Sequence, residues 1–364
     1  MDLIKYLSYN IFNKKVGDVM TYLDNSATTK INDEVLKEVE KNLFTSIGEK
    51  DLKKYTNIIK KILNTNLDVI ITSGSTESNN YAIKGICENT KKREIITTKL
   101  EHSSVNETLK YLEKKGYQIK YIPLKDTILD LNELEKMINE NTALITVTCI
   151  NSEVGIINNI NEIGKIAKKY KIPFHTDLTQ GVGKIKINLE NVDLASMSSH
   201  KFHGPKGIGI LLKRSKIELK PLIYGERCYN LGLLNGMIKA LENSYSNLDS
   251  NYEKVTDLRN YLKEKLKDIP EIKINESKNN LPHIFNISVL GYKPETFLHY
   301  LEMSNIYIST KSACSNGDYS KAVYELTKDM ERALTSVRLS LSEEITKEEL
   351  DKVIDLIKER KHGK

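Results

Sequence analysis

The chain has 364 residues, of which 39% are hydrophobic and 29% charged, and 55 Lys and Arg against 49 Asp and Glu give a net charge of +6. This is the balance of a soluble globular protein with room for two domains. No apolar run approaches the roughly 18 residues that span a bilayer, and Met1 to Lys15 lacks the basic, apolar, small-residue order of a secretory signal.

The four cysteines, Cys87, Cys149, Cys228 and Cys314, are scattered without a C-x-x-C pair. That spacing argues against a disulfide framework or a zinc site and fits a reducing cytoplasm. Lysines are spread along the chain rather than gathered in a block, so nothing supports a nucleic-acid surface.

After an N-terminal extension of about twenty residues, β-branched runs alternate with amphipathic stretches from about residue 67 to 212. The runs are Val69–Thr72, Glu94–Thr98, Gln118–Ile122, Ala143–Cys149, Ile172–His175, Asp193–Met197 and Gly207–Leu212. Helical spacing over Leu131–Ile138 and Ile160–Tyr170 lies between them. The alternation predicts a mainly parallel sheet covered by helices on both faces. Beyond Leu234, long helices at Tyr252–Leu266 and Lys347–Glu359 flank short strands near His283–Val289, Ile306–Ser309 and Ser336–Leu339, which reads as a smaller α+β unit. The expected division is an extension over 1–20, a large domain over 21–245 and a small domain over 246–364.

Open α/β sheets bind ligands beyond the carboxyl ends of their strands. Five strand ends here carry polar groups: Ser73–Glu77, Glu101-His102, Asn151–Glu153, Asp177 with Gln180, and Ser198–Lys201. Ser73-Gly74-Ser75-Thr76-Glu77 before a helix suits a phosphate, although the wording also fits a simple helix cap. Asp177 suits the protonated nitrogen of a pyridine ring, or a cap for the next helix; Gln180 suits a ring hydroxyl. His102 suits ring stacking or proton transfer, or a structural hydrogen bond. Lys201, crowded by His200 and other donors, suits a Schiff base; on its own it would read as a surface charge. Arg338 alternates with apolar residues on a strand and suits a carboxylate, or a structural ion pair. Cys314, among small polar residues near Lys311, predicts an exposed loop and a candidate nucleophile, or an incidental surface thiol.

Taken together, these segments resemble the cysteine desulfurases of the NifS/IscS type, pyridoxal-phosphate enzymes of fold type I. The matching stretches are Tyr22-Leu23-Asp24-Asn25-Ser26-Ala27-Thr28-Thr29, Thr72–Asn80, Glu101-His102, Asn151–Gly155, His175–Lys184, Ser198–Gly209, Ser312-Ala313-Cys314 and Ser336–Leu341. The resemblance implies a seven-stranded, mainly parallel sheet plus a small C-terminal domain carrying the Cys314 loop. It implies that Lys201 holds the cofactor as a Schiff base, that Asp177, Gln180 and Asn151 hold the ring, and that His102 stacks on it and moves protons. Ser75, Thr76, Ser198 and His200 would bind the phosphate, with Asn151 and Arg338 on the substrate. The implied reaction takes sulfur from L-cysteine, leaving L-alanine and a persulfide on Cys314. The implied partners are a second copy of the chain and a sulfur acceptor, either an iron–sulfur scaffold or a tRNA-thiolation enzyme.

Two stretches depart from the family's wording. Lys41–Ile62 is shortened, and Leu233 stands where a threonine would reach the partner subunit's phosphate, which removes a hydrogen bond worth about 1.5–3 kcal/mol. Two further readings are another fold-type-I lyase, such as one acting on selenocysteine, and a paralogue that keeps the fold without the activity.

Overall fold

The structure, a computed structural model, describes residues 20–310 and 319–359. Lys311 and Cys314 with their loop, and nearly all of the N-terminal extension, lie outside the described residues.

Seven strands form one sheet: β1 (Asp68–Thr72), β2 (Glu94–Thr97), β3 (Gln118–Tyr121), β4 (Thr142–Thr146), β5 (Phe174–Asp177), β6 (Leu194–Ser198) and β7 (Gly209–Lys213). Their spatial order is β1-β7-β6-β5-β4-β2-β3, and only β7 runs antiparallel to its neighbours. Successive side chains of a strand point to opposite faces, and here consecutive residues enter two different cores. Ile96, Ile145, Ala195 and Ile210 belong to one, Ile95, Leu144, Leu194 and Leu211 to the other. Burial on both sides explains why these strands read as continuous apolar runs rather than as an alternation.

Helix α1 (Ser75–Cys87) lies across β6 and β7, and α2 (Ser103–Glu113) packs beside it. Helix α3 (Ile160–Lys169) begins at Asn159, whose side chain caps Glu162 N–H, and buries Ile160, Ile163 and Ala167. Helix α4 (Leu231–Ser246) buries Leu234, Met237 and Leu241 in the main core.

The second unit has its own core. Strands β8 (Ile272–Ile274), β9 (Ile284–Val289) and β10 (Ser336–Ser340) form an antiparallel sheet. Helices α5 (Leu248–Leu266) and α6 (Lys347–Glu359) cover it through Leu258, Leu262, Leu350 and Ile354. Within the expected Ile306–Ser309 strand, Ile306–Tyr307 pairs in parallel with Thr21–Tyr22 and Ser309 bridges Arg338 of β10, while β8, which was not expected, pairs with β9. Leu23 packs in the second core. A two-residue pairing and a three-residue strand are too short to show a period.

The two stretches that depart from the family's wording brace each other. Ser46–Gly48 pairs with Cys228–Asn230, Asn230 Nδ2 donates to Leu43 O at 2.6 Å, and Leu231 N donates to Thr45 O at 2.8 Å. Leu233 is half-buried against the main core.

Candidate active site

The carboxyl ends of β4, β5 and β6 and the start of α1 surround a cavity of about 240 Å³. Its walls include Ser75, Thr76, His102, Asp177, Gln180, His200, Lys201 and Arg338, along with Ser26, Ala27, Ser152 and Thr179. Eight residues singled out from the sequence, drawn from five separate segments, therefore meet in one place.

Lys201 sits on a short 3-10 turn immediately after β6. Its Nζ donates to the carbonyls of Ser26 and Ala27, each at 2.6 Å. The segment carrying those carbonyls is pinned to the lysine turn: Thr29 N donates to His200 O at 2.9 Å and His203 N to Thr29 Oγ1 at 2.7 Å. His200 is held neutral, its pKa pushed down to about 3 by burial and by the cations Lys201, Lys206 and Lys184.

Asp177 closes β5 and is 4% exposed. Oδ1 accepts from Thr179 N at 2.9 Å and Oδ2 from Asn79 Nδ2 at 2.8 Å. Asn79 also donates to Ser104 Oγ at 2.9 Å, and Ser104 Oγ is 2.9 Å from His102 Nδ1. Ser104 N donates to that same Nδ1 at 3.2 Å, so Nδ1 is an acceptor and Nε2 carries the proton of the neutral ring. Burial, and to a lesser extent Lys201, lowers the His102 pKa against the pull of Asp177. One buried asparagine thus fixes both the carboxylate and the tautomer of the histidine.

At the start of α1 no side chain caps the helix, and Gly74 has a φ of +153°. A Cβ on Gly209 of β7 would stand 2.6 Å from Gly74 Cα, so only glycine lets the helix start approach the sheet this closely. Glu77 binds Ser73 N at 2.8 Å and is paired with Arg227 at 3.3 Å, so its charge is engaged beside the helix start.

Arg338, 3% exposed, donates through Nη2 to Asp24 Oδ1 at 2.6 Å and Ser309 Oγ at 2.9 Å, and through Nη1 to Ser152 O at 2.8 Å. Its Nε–H is buried without a partner. The ion pair with Asp24 makes the structural alternative part of the answer, yet Arg338 still faces the cavity.

Asn151 and Ser198 are not among the walls. Asn151 Nδ2 donates to Leu100 O at 2.8 Å, and its Oδ1 accepts from Glu153 N at 2.9 Å and Val154 N at 2.8 Å. Those bonds to the loop backbone leave it one amide hydrogen. The carbonyls of Ser26 and Ala27 and the side chain of Asn79 went unnoticed in the sequence. Asn79 had a readable signal: it shares its helix with Ala82, Ile83 and Ile86 and is itself fully buried.

Glu101, beside His102, is fully buried; Oε1 accepts from Thr98 Oγ1 at 2.9 Å and Thr148 N at 2.8 Å, while Oε2 has no partner. Burial pushes its pKa up to about 8, helped by the charge of Asp177. A carboxyl whose folded pKa is raised contributes stability below its unfolded pKa and loses it as pH rises through the folded value. Glu101→Gln, which cannot ionise, should therefore gain stability relative to the parent between pH 5 and pH 8.5. The gain over that window should be on the order of 4 kcal/mol, at about 1.4 kcal/mol per pH unit between the two ionisations. Urea unfolding of both chains across that range measures it, and a constant difference would contradict it.

The sequence model for class-V aminotransferases matches residues 21–231 and 227–353. The chain belongs to the class-V aminotransferase family. It is 36% identical to the cysteine desulfurase IscS of Dictyoglomus turgidum over 366 residues, covering 92% of this chain and 93% of that one. It is 35% identical to the cysteine desulfurase IscS of Clostridium botulinum strain Hall over 368 residues, with the same coverage. Among solved structures, a NifS-like protein superposes with a TM-score of 0.87 at 31% identity, covering 95% of this chain and 100% of that one. The structure of SspA in complex with cysteine superposes at 0.74 and 27% identity, covering 88% and 98%.

The fold is fold type I and the cofactor pyridoxal phosphate, as in the class-V enzymes it matches. The cavity's donors fit that group. The uncapped start of α1, with the hydroxyls of Ser75 and Thr76, suits a phosphate. Each oxygen of Asp177 accepts one bond from within the chain and keeps a lone pair for a ring N–H. Among the described residues no group of three His, Cys, Asp or Glu side chains is placed to hold a metal ion.

Proposed function

We propose that this cavity is where L-cysteine loses its sulfur, with Lys201 holding the cofactor and Cys314 receiving the sulfur atom. The chain is a cysteine desulfurase, and the observation that carries the residue assignments is the convergence of Lys201, Asp177, His102 and Arg338 on one cavity. Pyridoxal phosphate supplies an electron sink for carbanions formed on the substrate. Asp177, fixed by Thr179 and Asn79, would hold the protonated ring nitrogen. Ser75, Thr76 and His200 on the cavity wall, with Ser198 near His200 in sequence, would hold the phosphate, and Gln180 and the remaining amide hydrogen of Asn151 would donate to the ring's oxygen. His102, neutral, exchanges protons through Nε2. Arg338 takes the substrate carboxylate through its Nε–H and its remaining Nη1–H.

Sulfur then moves to Cys314. Its thiolate attacks the substrate sulfur, the Cβ–S bond breaks with its electron pair left on Cβ, and Cβ takes a proton. The products are L-alanine and a Cys314 persulfide, which passes its sulfur to an acceptor protein serving iron–sulfur assembly or tRNA thiolation.

The working form is a homodimer. Phe44, Ile223 and Tyr224 are 98%, 52% and 76% exposed, apolar area that association would cover. Residence in the cytoplasm is supported by the described cysteines, Cys87, Cys149 and Cys228, all of which are free thiols. No helix among the described residues is long and apolar enough to cross a membrane.

The visible spectrum of the purified holoenzyme tests this reading. A band at about 400 nm from the lysine-bound cofactor that shifts on adding L-cysteine is the expected result. A chain that cannot be loaded with pyridoxal phosphate, or a band indifferent to L-cysteine, contradicts it.

A further inference from the structure

We propose that Lys184 is a positioning residue for the cofactor site, fixing the side-chain amide of Gln180 with its oxygen turned inward and its NH2 toward the cavity. This rests on the cofactor reading above. Gln180 lines the cavity, whereas Lys184 lies behind it, 8% exposed and off the cavity wall. The two are four residues apart on a tight turn in which Val182 N donates to Leu178 O and Ile185 N to Gly181 O. Lys184 Nζ donates to Gln180 Oε1 at 3.0 Å, and Gln180 Nε2 donates to Ser26 O at 3.0 Å.

A glutamine amide is nearly symmetric in shape, and only its partners decide which end is oxygen. Here the Ser26 carbonyl can only accept, which places NH2 on its side, and Lys184 Nζ, a donor in either protonation state, meets the oxygen left at the other end. Rotating the amide by half a turn would place NH2 against the lysine and oxygen against oxygen. The carbonyl of Ser26 also receives Lys201 Nζ at 2.6 Å, so the same chain of bonds reaches the lysine of the site. Gln180 Nε2 has a second hydrogen, and that hydrogen is the donor this arrangement offers to a ring oxygen.

A buried lysine is costly, and a methionine would fill the space without desolvating a charge. Burial and the nearby cations Lys201 and Arg338 bring the Lys184 pKa down to about 7, opposed by Glu343. The groups around it are therefore Lys201 and His200 on the lysine turn, Arg338 on β10, Glu343 just beyond β10, and His283 before β9.

The test compares wild type, Lys184→Met, Gln180→Leu and the double variant, each stripped of cofactor and titrated with pyridoxal phosphate. The readouts are the dissociation constant and the pH midpoint of the bound cofactor's absorbance. If Lys184 acts through Gln180, each single change weakens binding about tenfold and moves the midpoint by about one pH unit. The double variant then shows no more than either single one. Additive shifts, or a Lys184→Met chain that matches wild type, overturn the proposal. Lys184→Arg, which keeps a donor against Oε1, should stay within about threefold of wild type and serves as the test should the methionine chain fail to fold; a loss as large as that of Gln180→Leu overturns the proposal. A wild-type chain that takes up no cofactor overturns the cofactor reading and this inference together, whereas uptake with independent effects overturns this inference alone.

Discussion

Lys201→Ala is expected to lower L-cysteine turnover by at least about 10⁴-fold, since groups that act as one unit in covalent catalysis fail together. The cavity explains why no neighbour can take over. Lys184, the other buried lysine nearby, is held against Gln180 Oε1 and lies behind the cavity wall. Lys206, five positions along the same segment, is exposed, and Lys206→Ala should keep full activity. The variant should still fold, because the Ser26 carbonyl keeps a donor in Gln180 Nε2. Its cofactor should instead be lost during gel filtration, where wild type stays coloured. Turnover within about tenfold of wild type would remove Lys201 from the mechanism.

Cys314→Ala is expected to lower alanine and sulfide formation from L-cysteine by at least about 10³-fold while leaving cofactor uptake as in wild type. The reasoning is partly by elimination. Burial pushes the thiols of Cys87 and Cys149 up to about 12, so neither offers a thiolate near neutral pH. Cys228 is exposed, but it lies in the short strand that pairs with Ser46–Gly48. Cys228→Ala should therefore desulfurate cysteine normally. Persulfide found on Cys228, or full activity in Cys314→Ala, would transfer the role to another group. The same pair of variants separates this chemistry from an elimination that needs no protein thiol, the route of the lyase reading.

Much of the fold was legible because it depends on local repetition. Runs such as Ala143–Cys149 and Asp193–Met197 are apolar on both faces, which only a sheet covered twice requires, and the helices between them keep their own period. The polar residues after those runs marked the cavity for the same reason, since strand ends in such sheets share an edge. What escaped notice is held by contacts distant in sequence. Nothing near residue 26 says that its carbonyl accepts from Lys201, and nothing near Asn79 says that it bridges Asp177 and Ser104. Lys184 was quoted as part of a motif, yet its burial depends on Gln180 and on Glu343 from beyond β10. Asn151, another polar residue at a strand end, gives most of its hydrogen bonds to the loop backbone, which its position in the sequence does not reveal.

The altered stretches acquire a meaning only in three dimensions. The shortened Lys41–Ile62 region and the strand before Leu233 pair with each other, so a change in one is met by a change in the other. Lys201, Asp177, His102 and Arg338 meet at the cavity despite these departures, which weighs against a paralogue without activity.

The most direct test is to reduce the loaded enzyme with borohydride and map the cofactor to a peptide. The account predicts that the added mass lies on the peptide containing Lys201. Labelling of Lys184, or of any lysine outside that segment, would contradict it.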